Sequence, residues 1–93
     1  MTAAVCRLGD MCTGHGCFPP RPNVEGSPNV FANALPVHRQ ADMWAVHCCV
    51  ICHAAPLAQG APTVFANNKQ VGRIGDPVAC GSSVASGSPN VFA

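Results

Sequence analysis

Gly26-Ser27-Pro28-Asn29-Val30-Phe31-Ala32-Asn33 recurs as Gly60-Ala61-Pro62-Thr63-Val64-Phe65-Ala66-Asn67 and again as Gly87-Ser88-Pro89-Asn90-Val91-Phe92-Ala93. A second element, Val-x-Arg-x-x-Asp, stands at Val5-Arg7-Asp10, Val37-Arg39-Asp42 and Val71-Arg73-Asp76. Short motifs repeated in a fixed order mean one small structural unit built three times over. Each of the first two Gly-x-Pro elements runs within a few residues into a Val-x-Arg-x-x-Asp element. After the third the sequence reaches Ala93, and the unmatched sixth piece is the one inside Met1 to Asp10. Setting that piece beside Ala93 closes the three units into a ring. The pattern therefore predicts a pseudo-threefold body made by one chain, with its termini close together.

The repeats also indicate the kind of structure. Val30-Phe31-Ala32 and Val64-Phe65-Ala66 follow a proline and precede Asn33 or Asn67-Asn68. They read as short strands entering tight turns, because Asn accepts the left-handed dihedrals such turns need. The Val-x-Arg that follows is expected to return as the partner strand. No long window carries an apolar 3.6-residue period free of Gly and Pro, so no helix is expected. The result is an all-β body of short hairpins with Val30, Val64, Val91, Phe31, Phe65 and Phe92 as core or base contacts. Six of the nine charged side chains lie in the repeated Arg and Asp positions, and only Arg21, Glu25 and Lys69 fall outside. Charges repeated by symmetry predict architecture, and an Arg and an Asp three residues apart can pair or bond turn amides.

Composition sets the remaining bounds. At 93 residues and 9.5 kDa the chain forms a single domain over 1–93, with no appended effector domain expected because it ends inside a repeat. A domain of this size buries only about 60–65% of its unfolded surface, so a staple is expected. The chain has 7 Cys and 4 His but only 10% charged residues and a net charge of +1, which leaves no electrostatic footprint for nucleic acid or anionic lipid. The weakly polar stretch Ala45 to Ala58 is too short to span a bilayer, and Met1 to Asp10 lacks the pattern of a secretory leader. Assembly in a reducing cytoplasm is the default expectation. An odd number of Cys then argues for metal or free thiols over a disulfide framework.

The segments after each Asp carry the chemistry. Aligned on that residue, Asp10 is followed by His15, Asp42 by His47 and Asp76 by Cys80, each four or five residues on. Three equivalent positions on a threefold body converge on its axis, so these side chains meet although they are far apart in sequence. A fourth ligand closes a tetrahedron. The longest insertion, Cys48-Cys49-Val50-Ile51-Cys52-His53, supplies it, with His53 the first choice and Cys49 or Cys52 as alternatives. Tetrahedral His and Cys ligation selects Zn2+, and four protein ligands with no open position make one structural ion. Its binding energy adds to folding energy, which supplies the expected staple. Cys6, Cys12, Cys17 and Cys48 are read as packed or incidental, and Cys49 with Cys52 as an alternative redox couple.

The threefold Gly-Ser-Pro-Asn-Val-Phe-Ala and Val-x-Arg-x-x-Asp elements, with Gly14-His15-Gly16 and Ala79-Cys80-Gly81, resemble the PAAR-repeat family over essentially the whole chain. The Pro-Ala-Ala-Arg tetrapeptide itself stands as Ala4-Val5-Cys6-Arg7, Pro36-Val37-His38-Arg39 and Gln70-Val71-Gly72-Arg73, with only the Arg kept throughout. The resemblance implies a small cone with zinc near its apex, held by three His and one Cys, here His15, His47, His53 and Cys80. It also implies a cap on a trimeric β-helical VgrG-type spike of a type VI secretion system or contractile phage tail. One cap would sit on each trimer, aid membrane piercing without residing in membranes, and help deliver effector proteins. Such a cap is assembled in the cytoplasm and then injected at the spike tip, or carried on the phage baseplate. The competing reading is a zinc-binding or thiol-redox protein or a zinc hydrolase unrelated to injection. Against catalysis, Glu25 is the only Glu and the three repeat Asp are committed to structure, so no general base is evident.

Overall fold

An Asn at the end of the Gly-x-Pro element lets the chain reverse within two residues. Strand β1 (Phe31–Ala32) pairs antiparallel with β2 (Leu35–Pro36), Phe31 opposite Pro36 and Ala32 opposite Leu35. The middle repeat's insertion forms a hairpin from β3 (His47–Cys49) and β4 (Ile51–His53). Strand β5 (Phe65–Ala66) pairs with β6 (Lys69–Gln70) as β1 does with β2. The turns hold Asn33 and Ala34 at φ 53° and 65°, and Asn67 and Asn68 at 55° and 65°. Two successive left-handed residues are what a two-residue turn requires if its twist is to match that of the strands.

The computed structural model describes residues 3–93; Met1 and Thr2, part of the segment that the ring argument used, lie outside the described residues. Where the third hairpin would stand, Ala3 and Ala93 exchange backbone hydrogen bonds of 3.0 Å, and Ala4 pairs with Phe92. The described residues contain short hairpins and bridges and no helix, so the fold is all-β.

The Val-x-Arg element follows expectation only at its Val. The hairpin's returning strand begins with the pair of residues before it and continues into that Val, since Val37 N–H donates to Val30 O and Val71 N–H to Val64 O at 3.0 Å. The element then also pairs with another repeat: Val5 with Arg73, Arg7 with Val37 and Arg39 with Val71. The residues between Val and Arg then close a circle. Cys6 N–H donates to Gly72 O at 2.8 Å, Gly72 N–H to His38 O at 2.8 Å, and His38 N–H to Cys6 O at 2.9 Å. The repeated glycine has its reason here too. A Cβ on Gly26, Gly60 or Gly87 would stand 3.0, 2.3 or 2.8 Å from the carbonyl oxygen of Val37, Val71 or Val5, so the chain passes directly against the ring strand.

Each Asp of the repeat binds its own Arg. Asp42 accepts from the Arg39 backbone N–H at 2.9 Å, from Nε at 2.9 Å and from Nη2 at 3.0 Å, and the Arg7–Asp10 and Arg73–Asp76 pairs copy the arrangement. Arg39 Nη1 also reaches Asn67 Oδ1 at 3.0 Å and Arg7 Nη1 reaches Asn33 Oδ1 at 3.3 Å, so these ion pairs also fasten the hairpin turns.

The core has two parts. Val5, Ala32, Val37, Ala66 and Val71 form one cluster, and Cys6, Cys12, Trp44, Ala55, Leu57, Val78 and Val84 the other. Val30, Val64, Val91, Phe31, Phe65 and Phe92 are not core. Alternation along a two-residue strand turns Ala32 and Ala66 inward and so turns each Phe outward. The three Phe are 57%, 58% and 56% exposed, so the sequence repeat surfaces as three matching apolar positions.

Replacing Asp42 with Ala leaves the largely buried Arg39 without its counter-charge and is expected to lower the unfolding free energy by about 3–5 kcal/mol. Asp10→Ala should cost less, because the Arg7–Asp10 pair is more open to solvent (side chains 16% and 11% exposed, against 11% and 2%). Denaturant titration of the two variants at neutral pH measures the difference.

Candidate metal centre

His47 opens β3 and His53 closes β4, and the hairpin register sets them directly opposite each other. Opposed residues of an antiparallel pair point to the same face. His15 comes from a tight turn in which His15 N–H donates to Phe18 O at 3.1 Å and Phe18 N–H to His15 O at 2.8 Å. The Phe18 ring lies 4.7, 4.9 and 4.2 Å from the rings of His15, His47 and His53. It forms one apolar wall behind all three. Cys80 sits in the turn where Gly81 N–H bonds Val78 O at 3.0 Å.

The four side chains named from sequence converge, with their ligand atoms all within 4.8 Å of one another. His15 Nε2 is 3.3 Å from His47 Nε2 and 3.1 Å from His53 Nε2, and the last two are 2.6 Å apart. A tetrahedral ion bound at about 2.0–2.1 Å holds its nitrogens about 3.3 Å apart, so two of these spacings suit one already and the third needs only a small opening. His47 Nδ1–H donates to Pro19 O at 2.8 Å, which leaves the Nε2 lone pair to face the other two rings. His15 and His53 both titrate below the ordinary histidine range, first through lost hydration and then through the nearby His47. Unprotonated imidazoles are the form a metal binds. The cluster could hold a metal ion.

Arg21, which the repeat pattern left without a role, completes the surroundings. It is 4% exposed, and it donates from Nε to Ala45 O at 2.7 Å, from Nη1 to Cys12 Sγ at 2.9 Å and from Nη2 to Cys80 Sγ at 3.4 Å. Its guanidinium also lies 5.6 Å from the Trp44 ring centre. Burial pushes the Cys80 thiol up, but hydrogen bonds with Ser82 and Arg21 outweigh it and bring the thiol below its usual range. That favours the thiolate, the ligand form of Cys. The one available sequence signal was that Arg21 is the only Arg outside the repeated element.

Four of the seven cysteines form two disulfides, contrary to the expectation of metal ligation or free thiols. Cys17 is bonded to Cys49 and Cys48 to Cys52, so Cys17 and Cys48 are not incidental. Cys49 and Cys52 are not alternatives to His53 as ligands, and they do not form a redox couple with each other. The cause is strand geometry: Cys48 and Cys52 are a register pair on one face of the hairpin, while Cys49 points to the other face, toward the His15 turn. Three thiols stay free: Cys6 and Cys12 are packed in the core as expected, and Cys80 lies in the cluster.

The model of the PAAR motif family matches residues 13–86, well over half of the chain, and the chain belongs to that family. It is a structural family associated with the spike tips of type VI secretion systems and other contractile machines. Among curated proteins no relative matches this chain.

The depressed histidines set a pH window. A group whose folded pKa lies below its unfolded value contributes stability present above the unfolded value and lost as pH falls toward the folded one. His15, His53 and the buried His38 all have that sign from an ordinary value of 6.5. The metal-free chain is therefore expected to lose stability progressively below about pH 6.5, measured as a falling melting temperature between pH 7.5 and 5. Replacing His47 with Ala should abolish metal retention through gel filtration at neutral pH, as read by elemental analysis.

Proposed function

We propose that this chain is a single-domain structural cap, held by one zinc ion, on the blunt end of a trimeric β-helical spike of the VgrG type or its phage-tail counterpart. The observation that carries the reading is the set Phe31, Phe65 and Phe92, apolar side chains of near-equal exposure supplied by three repeats of one chain. Val30, Val64 and Val91 are exposed beside them. Three near-equivalent faces on a monomer suit a threefold trimer, each face meeting one subunit at one cap per trimer. The end of a β-helix exposes unpaired strand edges and apolar side chains, and a cap bearing short hairpins covers both.

The donor set favours zinc. Three imidazoles and one thiolate in a tetrahedral arrangement suit it, and four protein ligands leave no open position for catalysis. When bound, the ion would cross-link the His15 turn, the β3–β4 hairpin and the Cys80 turn, segments otherwise joined around little apolar core. The chain's own part is to orient those ligands: Pro19 O fixes the tautomer of His47, and Arg21 with Ser82 holds the sulfur of Cys80. In this reading the domain assembles in the cytoplasm and leaves with the spike, its metal-bound end leading and the Phe face docked.

Changing Phe31, Phe65 and Phe92 together to Ser should abolish co-elution with a cognate trimeric spike protein while leaving the melting temperature within a few degrees of the parent, since all three side chains are more than half exposed. The parent should elute at one chain per spike trimer. Undiminished binding by the variant would count against this face as the docking surface.

A further inference from the structure

We propose that the two disulfides form a redox clamp on the metal cluster: the oxidised chain retains its ion against competitors, and the reduced chain lets it exchange. The inference rests on the reading of His15, His47, His53 and Cys80 as metal ligands.

The placement of the cross-links carries it. Cys17 lies two residues after His15, and its partner Cys49 lies two residues after His47. Cys48 follows His47 and Cys52 precedes His53, so the Cys48–Cys52 pair is the ladder step next to His47 and His53. Together the two bonds join all three histidine-bearing segments into one covalent frame. Cys80, the fourth candidate ligand, is outside that frame and is held by Arg21 and Ser82.

At its tip the hairpin has little else to hold it in shape. The β3–β4 hairpin turns on Val50 alone, a β-branched residue at φ 67° that is 105% exposed, and Ile51 beside it is also exposed. Left-handed dihedrals are unfavourable for such a residue, and an isolated two-stranded hairpin is marginal in water. Without the disulfides, the register that faces His47 with His53 is left to the hairpin's base, where Trp44 N–H donates to Ala55 O at 3.0 Å, and to the His47 bond with Pro19 O; the His15 turn is left to its two backbone bonds, to Phe18 and to the Thr13 N–H bond with Ser83 O at 2.8 Å. Pre-organised ligands bind more tightly because less ordering is left to the binding step.

The chemistry is available to solvent, since Cys17, Cys48 and Cys52 are exposed and Cys49 is half-buried. Closing each bridge consumes one small-molecule disulfide. A Cys thiolate attacks one of its sulfurs and releases a thiolate; the partner Cys thiolate then attacks the mixed disulfide and releases the second. Two protein thiols lose two electrons and two protons, and one external disulfide becomes two thiols. A monothiol reductant or a phosphine reverses the balance. The clamp would thus stay open where thiols are kept reduced and close where they are not.

The test uses the full chain loaded with zinc and a chromogenic chelator in excess. After oxidation with a small disulfide, 3 of the 7 cysteines should titrate in denaturant, and all 7 after phosphine reduction. Zinc release should be about 10- to 100-fold faster from the reduced chain, the scale of effect for groups that support a metal ligand. The Cys17→Ser/Cys49→Ser variant should release zinc fast under both conditions, as should Cys48→Ser/Cys52→Ser. If either variant fails to fold, the comparison of oxidised with reduced parent, monitored by far-UV circular dichroism, still decides. Equal release rates from a chain that binds zinc in both states would overturn the clamp alone. So would slower release after reduction, or 7 titratable thiols after oxidation. A chain that binds no zinc in either state would overturn the metal reading and the clamp with it.

Discussion

Three backbone hydrogen bonds, between Cys6, Gly72 and His38, form the constraint on which the rest of the fold depends. Each joins a different pair of repeats, so none can form locally, and the circle closes only when all three repeats are in place. The ring residues are buried, and an amide left unpaired there costs about 1–3 kcal/mol, which makes the ring an all-or-none element. The Val on one side and the Arg on the other then pair between repeats, and the Asp three residues on locks each Arg in an ion pair.

The side chains at the axis break the symmetry that the backbone keeps. His38 is large and fully buried and donates from Nδ1 to Glu25 O at 2.7 Å, whereas Gly72 leaves room for Leu57, whose Cδ2 would stand 2.9 Å from a Cβ at that position. At the next level Cys12, Trp44 and Val78 occupy equivalent positions after the three Asp, again with different volumes. A single chain can therefore keep a threefold frame and still gather unlike side chains into a centre that could hold a metal ion. That centre takes one histidine from a turn, two from a hairpin and one cysteine from a second turn. Arg21 connects the two levels by binding both the core thiol Cys12 and the cluster thiol Cys80.

The sequence disclosed the frame because its parts repeat for backbone reasons. Asn33 and Asn67 mark left-handed turns, the Gly of each Gly-x-Pro element marks a close backbone approach, and the Arg and Asp mark an ion pair. His15, His47 and Cys80 could be aligned on the Asp of each repeat for the same reason. The inter-repeat pairing of Val-x-Arg was hidden, because a Val that bonds its own hairpin looks the same in sequence whether or not its other edge pairs with another repeat. Phe31, Phe65 and Phe92 could be read as core or as base contacts, because hydrophobicity does not say which way a two-residue strand faces. The Cys48–Cys52 and Cys17–Cys49 bonds depend on which face of β3 each cysteine occupies, and that requires the one-residue turn at Val50. Arg21 had no repeat partner to announce it.

If a threefold frame gathers His15, His47, His53 and Cys80 around one ion, X-ray absorption at the zinc edge, on protein purified without chelator, reads that ligand set. The expected spectrum is that of a four-coordinate shell of three nitrogens at about 2.0–2.1 Å and one sulfur at about 2.3 Å, with the sulfur lost in Cys80→Ser. A shell containing several sulfurs, or one of oxygens and nitrogens alone in the parent chain, would contradict it.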